Sequence, residues 1–290
     1  NIVADLVEAE KLMQDDYQRA SISDPLASVT KPAIQALLSR VYLYMGRWQD
    51  AADAATKVIK NNKFKLYSPA DYLAMWSQNV ASQGGEIIFE MYSSKKNGSW
   101  DDSGWTMLPY ITYVDGSADV CATEDLFNMY EAGDVRSQLF VANENDHFIT
   151  KYLGKAASVD PKENNVPIFR LAEMYLNRAE AILNGARVEG TTAEKDLNTV
   201  AEARGASHVS PSATTIFDER RKELAFEGHI WFDYKRLGKS IKREDYRAQQ
   251  TQYQNVQYSG NEGQWAMPIP LSEINANPNM VQNPYYDTKK

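Results

Sequence analysis

Two pairs of predicted amphipathic helices, about a hundred residues apart, constrain the fold of this chain more than any other feature. The first pair spans residues 31–62. Lys31-Pro32 suits the first turn of a helix, where the fixed φ of proline is tolerated. Gly46 ends that helix, and four alanines give the next one a small-residue face: Ala51, Ala52, Ala54 and Ala55. Such a face allows two helices to approach closely, so the segment is predicted to be an αα-hairpin.

A second hairpin is predicted over residues 169–206. Its first helix carries an apolar stripe at helical spacing and ends at Gly185; the stripe is Leu171, Met174, Tyr175, Ala179 and Ile182. In the first hairpin, the spacing of large and small residues resembles a tetratricopeptide unit, through Leu38, Tyr42, Gly46, Trp48 and Ala51. The two hairpins are not contiguous in sequence, so another element is inserted between them.

The inserted part, residues 76–165, has a different character. "GGEIIFEMY" predicts a short strand, and the Gly-, Ser- and Asp-rich stretch after it fits no helical period. Loops of this length inside a compact domain are usually functional or disordered, and the many aromatic residues in this one argue against disorder. The last 40 residues contain four prolines and predict an extended tail.

The fold is therefore predicted to be mainly α, with tetratricopeptide-like helical hairpins, a loop-rich ligand-binding insertion and an extended C-terminal tail. We predict a single domain over residues 1–290. Its helical body comprises residues 1–75 and 166–250, and the insertion is 76–165. The tail, which wraps the body, is 251–290.

Composition excludes several classes of protein. The net charge is −8 with interspersed acidic and basic residues, which argues against a nucleic-acid binder. Cys121 is the only cysteine, so an intrachain disulfide and a cysteine-based structural metal site are excluded. No run of about 18 apolar residues is present, so no segment is predicted to cross a bilayer. The chain begins at Asn1 without a signal-peptide pattern, which indicates a processed chain or a piece of a longer one.

Four segments in one order now resemble a known family. They are the helical start "IVADLVEAEKLM", the hairpin "SRVYLYMGRWQDAADAATKVI", the segment "VPIFRLAEMYLNRAEA", and "DERRKELAFEGHIWFDYKRLG" followed by "MPIPLSEINANPNMVQNP". The run from Arg220 to Asp233 is the most specific of them. Together they are similar to the SusD/RagB family of outer-membrane nutrient-binding lipoproteins.

The resemblance implies a loop-rich subdomain that holds ligand, and a lid-like position over a SusC-like TonB-dependent transporter. It implies the extracellular face of the outer membrane, with membrane attachment only through a lipid anchor that is absent from this chain. Members of the family are usually longer, so we expect that an N-terminal portion is missing. Ile2, Leu6 and Met13 should then be unusually exposed, or covered by another chain.

The stretch "SWDDSGWTMLPYITY" supplies the candidate ligand-binding residues. Flat aromatic rings can cover the C–H faces of a sugar, while polar neighbours satisfy its hydroxyl rim. The candidate platforms are Trp100, Trp105, Tyr110 and Tyr113, and the candidate rim residues are Asn97, Asp101 and Asp102. The alternative is that these rings fold inward and pin the loop. Trp76, just before the loop, is predicted to lie in the core.

Catalytic and metal sites are not indicated. In "EGHIWFD", Trp231 and Phe232 are predicted to pack, Arg220 and Arg221 to pair with carboxylates, and Glu227, His229 and Asp233 to be structural. His147 and His208 lack metal-ligand spacing. Asp101 and Asp102 are adjacent, which suits neither geometry of a glycosidase. Asp115 and Asp119 are better explained by a solvated turn than by a calcium loop. No cofactor motif is present.

The sequence thus predicts a surface protein that is not an enzyme. It would capture oligosaccharides, or less often peptides, and pass them to a transporter. Two other classes stay open. A helical-repeat scaffold would use the aromatic loop to contact proteins, and a glycoside hydrolase would release products from a glycan.

Overall fold

The computed structural model describes residues 2–15, 17, 19, 25–76, 85–92, 111–112, 117–143, 146–153, 164–242, 257–258 and 263–287. The chain divides into two compact units, Asn1–Gly228 and His229–Lys290. In the part of the chain that is described, no helix combines the length and the apolar character needed to cross a membrane.

The first unit is built mainly from helices. These are α1 (Ile2–Leu12), α2 (Lys31–Tyr44), α3 (Trp48–Ile59), α4 (Pro69–Trp76), α5 (Glu124–Phe127), α6 (Leu171–Leu183), α7 (Ala193–Ala203) and α8 (Ala213–Glu223). Two short antiparallel pairs accompany them: β1 (Ile87–Met91) with β4 (Val166–Arg170), and β2 (Phe140–Asn143) with β3 (Asp146–Ile149). Short 3-10 helices span Pro25–Ala27 and Val135–Leu139.

The second unit has shorter elements. They are α9 (Ile230–Arg236), the pair β5 (Ile241–Lys242) and β6 (Gln257–Tyr258), α10 (Leu271–Ala276), and 3-10 helices at Gly263–Trp265 and Pro284–Tyr286. The amide of Gln282 bonds both the N–H and the carbonyl of Ile269, at 2.8 and 2.9 Å. This paired contact links two stretches of the tail outside any helix, in agreement with the extended chain that its prolines predict.

The first predicted hairpin is confirmed as α2 and α3. The Thr30 hydroxyl caps α2 by accepting from the Ala33 N–H, and Gly46 adopts the positive φ of 68° that ends a helix. Ala51 is fully buried, and its carbonyl accepts a hydrogen bond from the buried Ser39 hydroxyl at 3.1 Å. The small-residue face therefore allows the close packing that the sequence predicts.

The second predicted hairpin is confirmed as α6 and α7. Arg178 on α6 donates to both carboxylate oxygens of Asp196 on α7, at 2.6 and 2.7 Å. Ala181 of α6 shares a core cluster with α2 and α3, so the two hairpins pack in sequence order α2, α3, α6, α7. They are thus continuous in space although about a hundred residues separate them in sequence.

The predicted strand after Gly84-Gly85 is also confirmed, as β1. Its antiparallel partner β4 runs directly into α6, and Met91 lies opposite Val166. The two strand ends therefore lie side by side, although a long stretch of chain separates them in sequence.

Helix α1 has no fully buried residue. Ile2 is 68% exposed, whereas Leu6 and Met13 are half-buried against the cluster formed by α2 and α3. The expected exposure therefore holds for Ile2, and the other two side chains pack partly within the chain because they face α2. Glu10 supports this packing by accepting from Gln35 and Lys57, at 2.9 and 2.7 Å.

A close backbone contact gives a first prediction, for Gly205→Ala. Gly205 has φ +71°, and a Cβ atom there would lie 2.6 Å from the carbonyl oxygen of Gly133. Left-handed strain and this clash together should lower the free energy of unfolding by about 2 to 3 kcal/mol. Gly190→Ala is the matched control, because Gly190 has φ +80° with no atom within 4 Å of its Cβ position. Equal urea midpoints for the two variants would contradict the role of the contact.

Candidate ligand-binding site

The predicted binding residues lie outside the described residues. This applies to all seven of them: Asn97, Trp100, Asp101, Asp102, Trp105, Tyr110 and Tyr113. Their assignment therefore stays a prediction. The structure describes the chain on either side of them.

On the N-terminal side, the segment follows β1. Two register shifts interrupt the pairing of β1 with β4, on either side of Phe89. Such irregularities redirect side chains and are frequent beside functional sites. The strand ends at Met91, and Met91 and the next residue, Tyr92, are 59% and 41% exposed. An aromatic and an apolar side chain thus reach solvent immediately before the predicted binding segment.

On the C-terminal side, the chain is tied to the β2–β3 pair. The Val120 N–H donates to the Ile111 carbonyl at 3.0 Å, and the Ala122 N–H donates to the His147 carbonyl at 2.7 Å. The His147 ring stacks on Phe127 with centroids 3.7 Å apart. His147 therefore has a packing role, and among the described residues no group of three or more His, Cys, Asp or Glu could hold a metal ion.

Trp76 lies in the core, as predicted. It is 2% exposed and makes edge-to-face contacts with Tyr72 and Tyr152, with centroid distances of 6.2 and 6.0 Å. The ammonium of Lys151 lies 4.5 Å from the centre of the Trp76 ring, and the two groups make a buried cation–π contact. This aromatic cluster joins α4 to the chain that follows β3.

A buried ion network lies beside this cluster. Its members are Glu86, Asp134, Arg136, Lys151, Arg170, Arg204, Glu219, Glu223 and Glu227, each with a side chain no more than 3% exposed. Glu223 is its centre. One carboxylate oxygen accepts from Arg170 and Arg204 at 2.8 and 3.0 Å, and the other from Arg204 and Arg136 at 3.0 and 3.2 Å.

The network connects elements that are distant in sequence. Glu86 stands just before β1 and accepts from Arg170, at the end of β4, at 2.6 Å. It also accepts from Arg204, after α7, at 2.7 Å. Arg136 reaches Asp134 and Glu219 at 2.7 and 2.6 Å. Ion pairs thereby link the described chain on both sides of the predicted binding segment to the C-terminal end of α7 and to α8 of the helical body.

The pKa values of the network follow from its charges. Burial alone would raise the pKa of Glu223, but Arg204, Arg170 and Arg136 outweigh it and hold that pKa well below its usual range. Burial is likewise outweighed at Glu227, whose pKa is lowered by Arg170 and Lys151. For Lys151 burial dominates and lowers the pKa of the ammonium, although Glu227 opposes the shift. The two carboxylates are therefore held in their charged form.

This arrangement agrees with the structural interpretation of "RRKELAFEGHIWFD". Glu227 accepts from Lys151 and Arg170, each at 2.7 Å, and is not free to act as an acid or base. Arg221 pairs with Asp125 at 2.7 Å, as predicted. Arg220 donates to the amide oxygen of Asn177 at 2.7 Å, a neutral acceptor that the sequence did not suggest.

Within the second unit, the same motif is partly packed. The Trp231 ring lies 4.5 Å from that of Trp265, as expected for a packed side chain. Phe232 is 52% exposed, so it packs with only part of its surface; neighbouring positions on a short helix face different directions. Asp233 pairs with Arg236 at 2.7 Å, which supports its structural role.

The members of the ion network outside this motif were not found from the sequence. Long-range ion pairing has no local periodicity, so the partners could not be assigned from spacing.

The described fold defines a class: a tetratricopeptide-like helical protein whose hairpins are interrupted by an inserted, partly β-stranded region. The model of the SusD family matches residues 142–286, half of the chain. The chain belongs to the SusD family.

Individual relatives are similar to different extents. Starch-binding protein SusD of Bacteroides thetaiotaomicron is 32% identical over 129 residues, which is 43% of this chain and 22% of that protein. A SusD superfamily structure from the same organism is 34% identical with a TM-score of 0.79, and the match covers 97% of this chain and 65% of the other. Another, from Bacteroides vulgatus, is 28% identical with a TM-score of 0.78, covering 98% and 64%. The chain thus spans less than two thirds of these relatives.

Proposed function

We propose that this protein binds oligosaccharides through the segment from Asn97 to Tyr113 and does not cleave them. The observation that carries the proposal is the position of this aromatic-rich segment, which begins a few residues after β1 in a member of the SusD family. A relative named as a starch-binding protein supports carbohydrate as the class of ligand. A rigid support would favour binding, because aromatic side chains that are already held in place lose less conformational entropy when ligand binds.

The roles proposed for the seven residues follow from the chemistry of sugars. Trp100, Trp105, Tyr110 and Tyr113 would stack on the apolar faces of the rings. Asn97, Asp101 and Asp102 would accept or donate hydrogen bonds at the hydroxyl rim. Such contacts orient a ligand without any bond being made or broken, and the carboxylates need no special pKa for them.

The partner and location are proposed on family membership. We infer that the ligand is passed to a SusC-like TonB-dependent transporter at the extracellular face of the outer membrane, with a lipid anchor outside the present chain. A pull-down of the full-length protein with the transporter from detergent-solubilised outer membranes tests this step. Recovery of the protein without any TonB-dependent transporter would contradict it.

The binding proposal is tested by titration with defined oligosaccharides. Maltoheptaose and laminarihexaose represent α- and β-linked glucans, and a panel of other linkages and a peptide pool complete the set. We expect saturable binding of one carbohydrate by calorimetry and tryptophan fluorescence, with no new reducing ends in the mixture. Binding of peptides alone would overturn the assignment of the ligand class, and product release would overturn the absence of cleavage.

The contribution of the platforms is tested with Trp100→Ala and Trp105→Ala. At least one should weaken the binding free energy by about 1 to 3 kcal/mol, as truncation of a buried aromatic contact does. Phe232→Ala is the control, because it removes an exposed ring from the second unit and should leave affinity unchanged. Wild-type affinity in both tryptophan variants, with melting temperatures unchanged, would remove this segment from the site.

A further inference from the structure

The chain leaves β1 and enters β4 at two strand ends that lie side by side. At these ends Met91 lies opposite Val166 and Glu90 lies opposite Pro167. We call these two strand ends, residues 90–91 and 165–167, the neck. The predicted binding segment begins a few residues beyond it in the chain.

Backbone hydrogen bonding between the two strands is incomplete at the neck. Pro167 has no N–H to donate, so the ladder lacks a donor opposite Glu90. Register shifts on both sides of Phe89 interrupt the pairing further. A two-stranded ladder of five residues is marginal by itself, so side chains must contribute to its geometry.

A side-chain contact closes the neck. The amide nitrogen of Asn165 donates to a carboxylate oxygen of Glu90 at 2.5 Å, and the two residues are 6% and 4% exposed. A hydrogen bond to a buried carboxylate is directional and strong. Two apolar side chains could fill the same space and would avoid the cost of removing a charge from water. Holding the two strands together therefore does not by itself require this polar pair.

We propose that the Glu90–Asn165 hydrogen bond is a positioning contact for ligand binding, which sets the direction in which the chain leaves β1. The inference rests on the proposed function. Glu90 and Asn165 act through the segment that follows and do not touch ligand themselves. Loss of the bond should therefore raise the Kd for ligand. The increase should exceed the one expected from the additional fraction of unfolded protein alone.

The test exchanges the two polar groups. Asn165→Asp places two carboxylates together and should raise the Kd of the bound panel member about tenfold, within the usual range of coupling between sites. In the double variant Glu90→Gln with Asn165→Asp, the amide at position 90 can donate to the carboxylate at position 165. Affinity should then return to within about twofold of wild type, because the contact is rebuilt with donor and acceptor reversed.

Asn198→Asp is the matched control. Asn198 is similarly buried in α7 and bonds the backbone of Val209 at 3.1 and 2.8 Å, away from the neck. It should lower the melting temperature and leave Kd unchanged. If Asn165→Asp does not fold, Asn165→Ala removes the donor without adding charge and should still weaken binding at least about threefold.

The outcomes separate the two proposals. Wild-type affinity in Asn165→Asp, or in Asn165→Ala where that variant is used, overturns the positioning role and leaves the binding function standing. A double variant that folds but stays as weak as Asn165→Asp also overturns it, since the rebuilt bond would have no effect. Wild-type protein that binds nothing in the panel overturns the proposed function, and the positioning role with it.

Discussion

Glu223→Gln is expected to lower the free energy of unfolding by about 3 to 5 kcal/mol, the usual cost of removing one partner of a buried ion pair. The substitution keeps the size of the side chain but removes the negative charge that Arg136, Arg170 and Arg204 share. Their charges would remain buried without full compensation. Urea unfolding at neutral pH, followed by circular dichroism, measures the change.

Asp125→Asn supplies the comparison for this experiment. It also removes a carboxylate paired with an arginine, Arg221, at 2.7 Å, but the Asp125 side chain is 51% exposed. Exposed pairs contribute only about 0 to 1 kcal/mol, because water replaces much of the lost interaction. If the two variants unfold at the same urea concentration, burial does not explain the contribution of the ion network to the free energy of unfolding.

Acid is expected to unfold the first unit by the same physical route. The pKa values of Glu223 and Glu227 are lower in the folded chain than the ordinary value of 4.5, so the unfolded chain binds protons more readily. Their contribution is complete at pH values well above 4.5 and is lost as the pH falls through the lower folded-state values. Protonation of the two carboxylates should therefore lower the free energy of unfolding progressively as the pH falls below about 5.

Urea midpoints measured at intervals from pH 7 to pH 2 test this dependence. We expect a plateau down to about pH 5 and a steady decrease below it. Glu223→Gln should show a shallower decrease, because one of the two carboxylates can no longer bind a proton. A midpoint that does not change down to pH 3 in the wild-type chain would contradict the assigned pKa directions.

These two results would bear on binding as well as on stability. The ion network links Glu86, just before β1, to α7 and α8 through Arg204 and Glu223. The neck continues the same support at Glu90 and Asn165. Buried polar contacts thus hold the described chain that flanks the proposed binding segment, and such contacts specify geometry through direction as well as distance.

Much of the helical body could be predicted from the sequence. The hairpins follow from short-range signals, such as the apolar spacing of α6, the alanine face of α3 and the glycine at 46. The core position of Trp76 and the structural role of Glu227 were also predicted correctly. The ligand-binding residues from Asn97 to Tyr113 remain a sequence prediction supported by family membership.

The sequence by itself determined the two hairpins, the helix ends marked by Gly46 and Gly185, and the strand β1, because periodicity and capping act between residues a few positions apart. Only the tertiary structure decided that α3 packs on α6, that Glu223 gathers three arginines, and that Glu90 meets Asn165. The contacts of Glu223 with the three arginines join residues 19 to 87 positions apart, and Glu90 and Asn165 are 75 positions apart. The partners in these contacts are selected by proximity in the folded chain and by the cost of leaving a buried charge unpaired, neither of which any local pattern encodes.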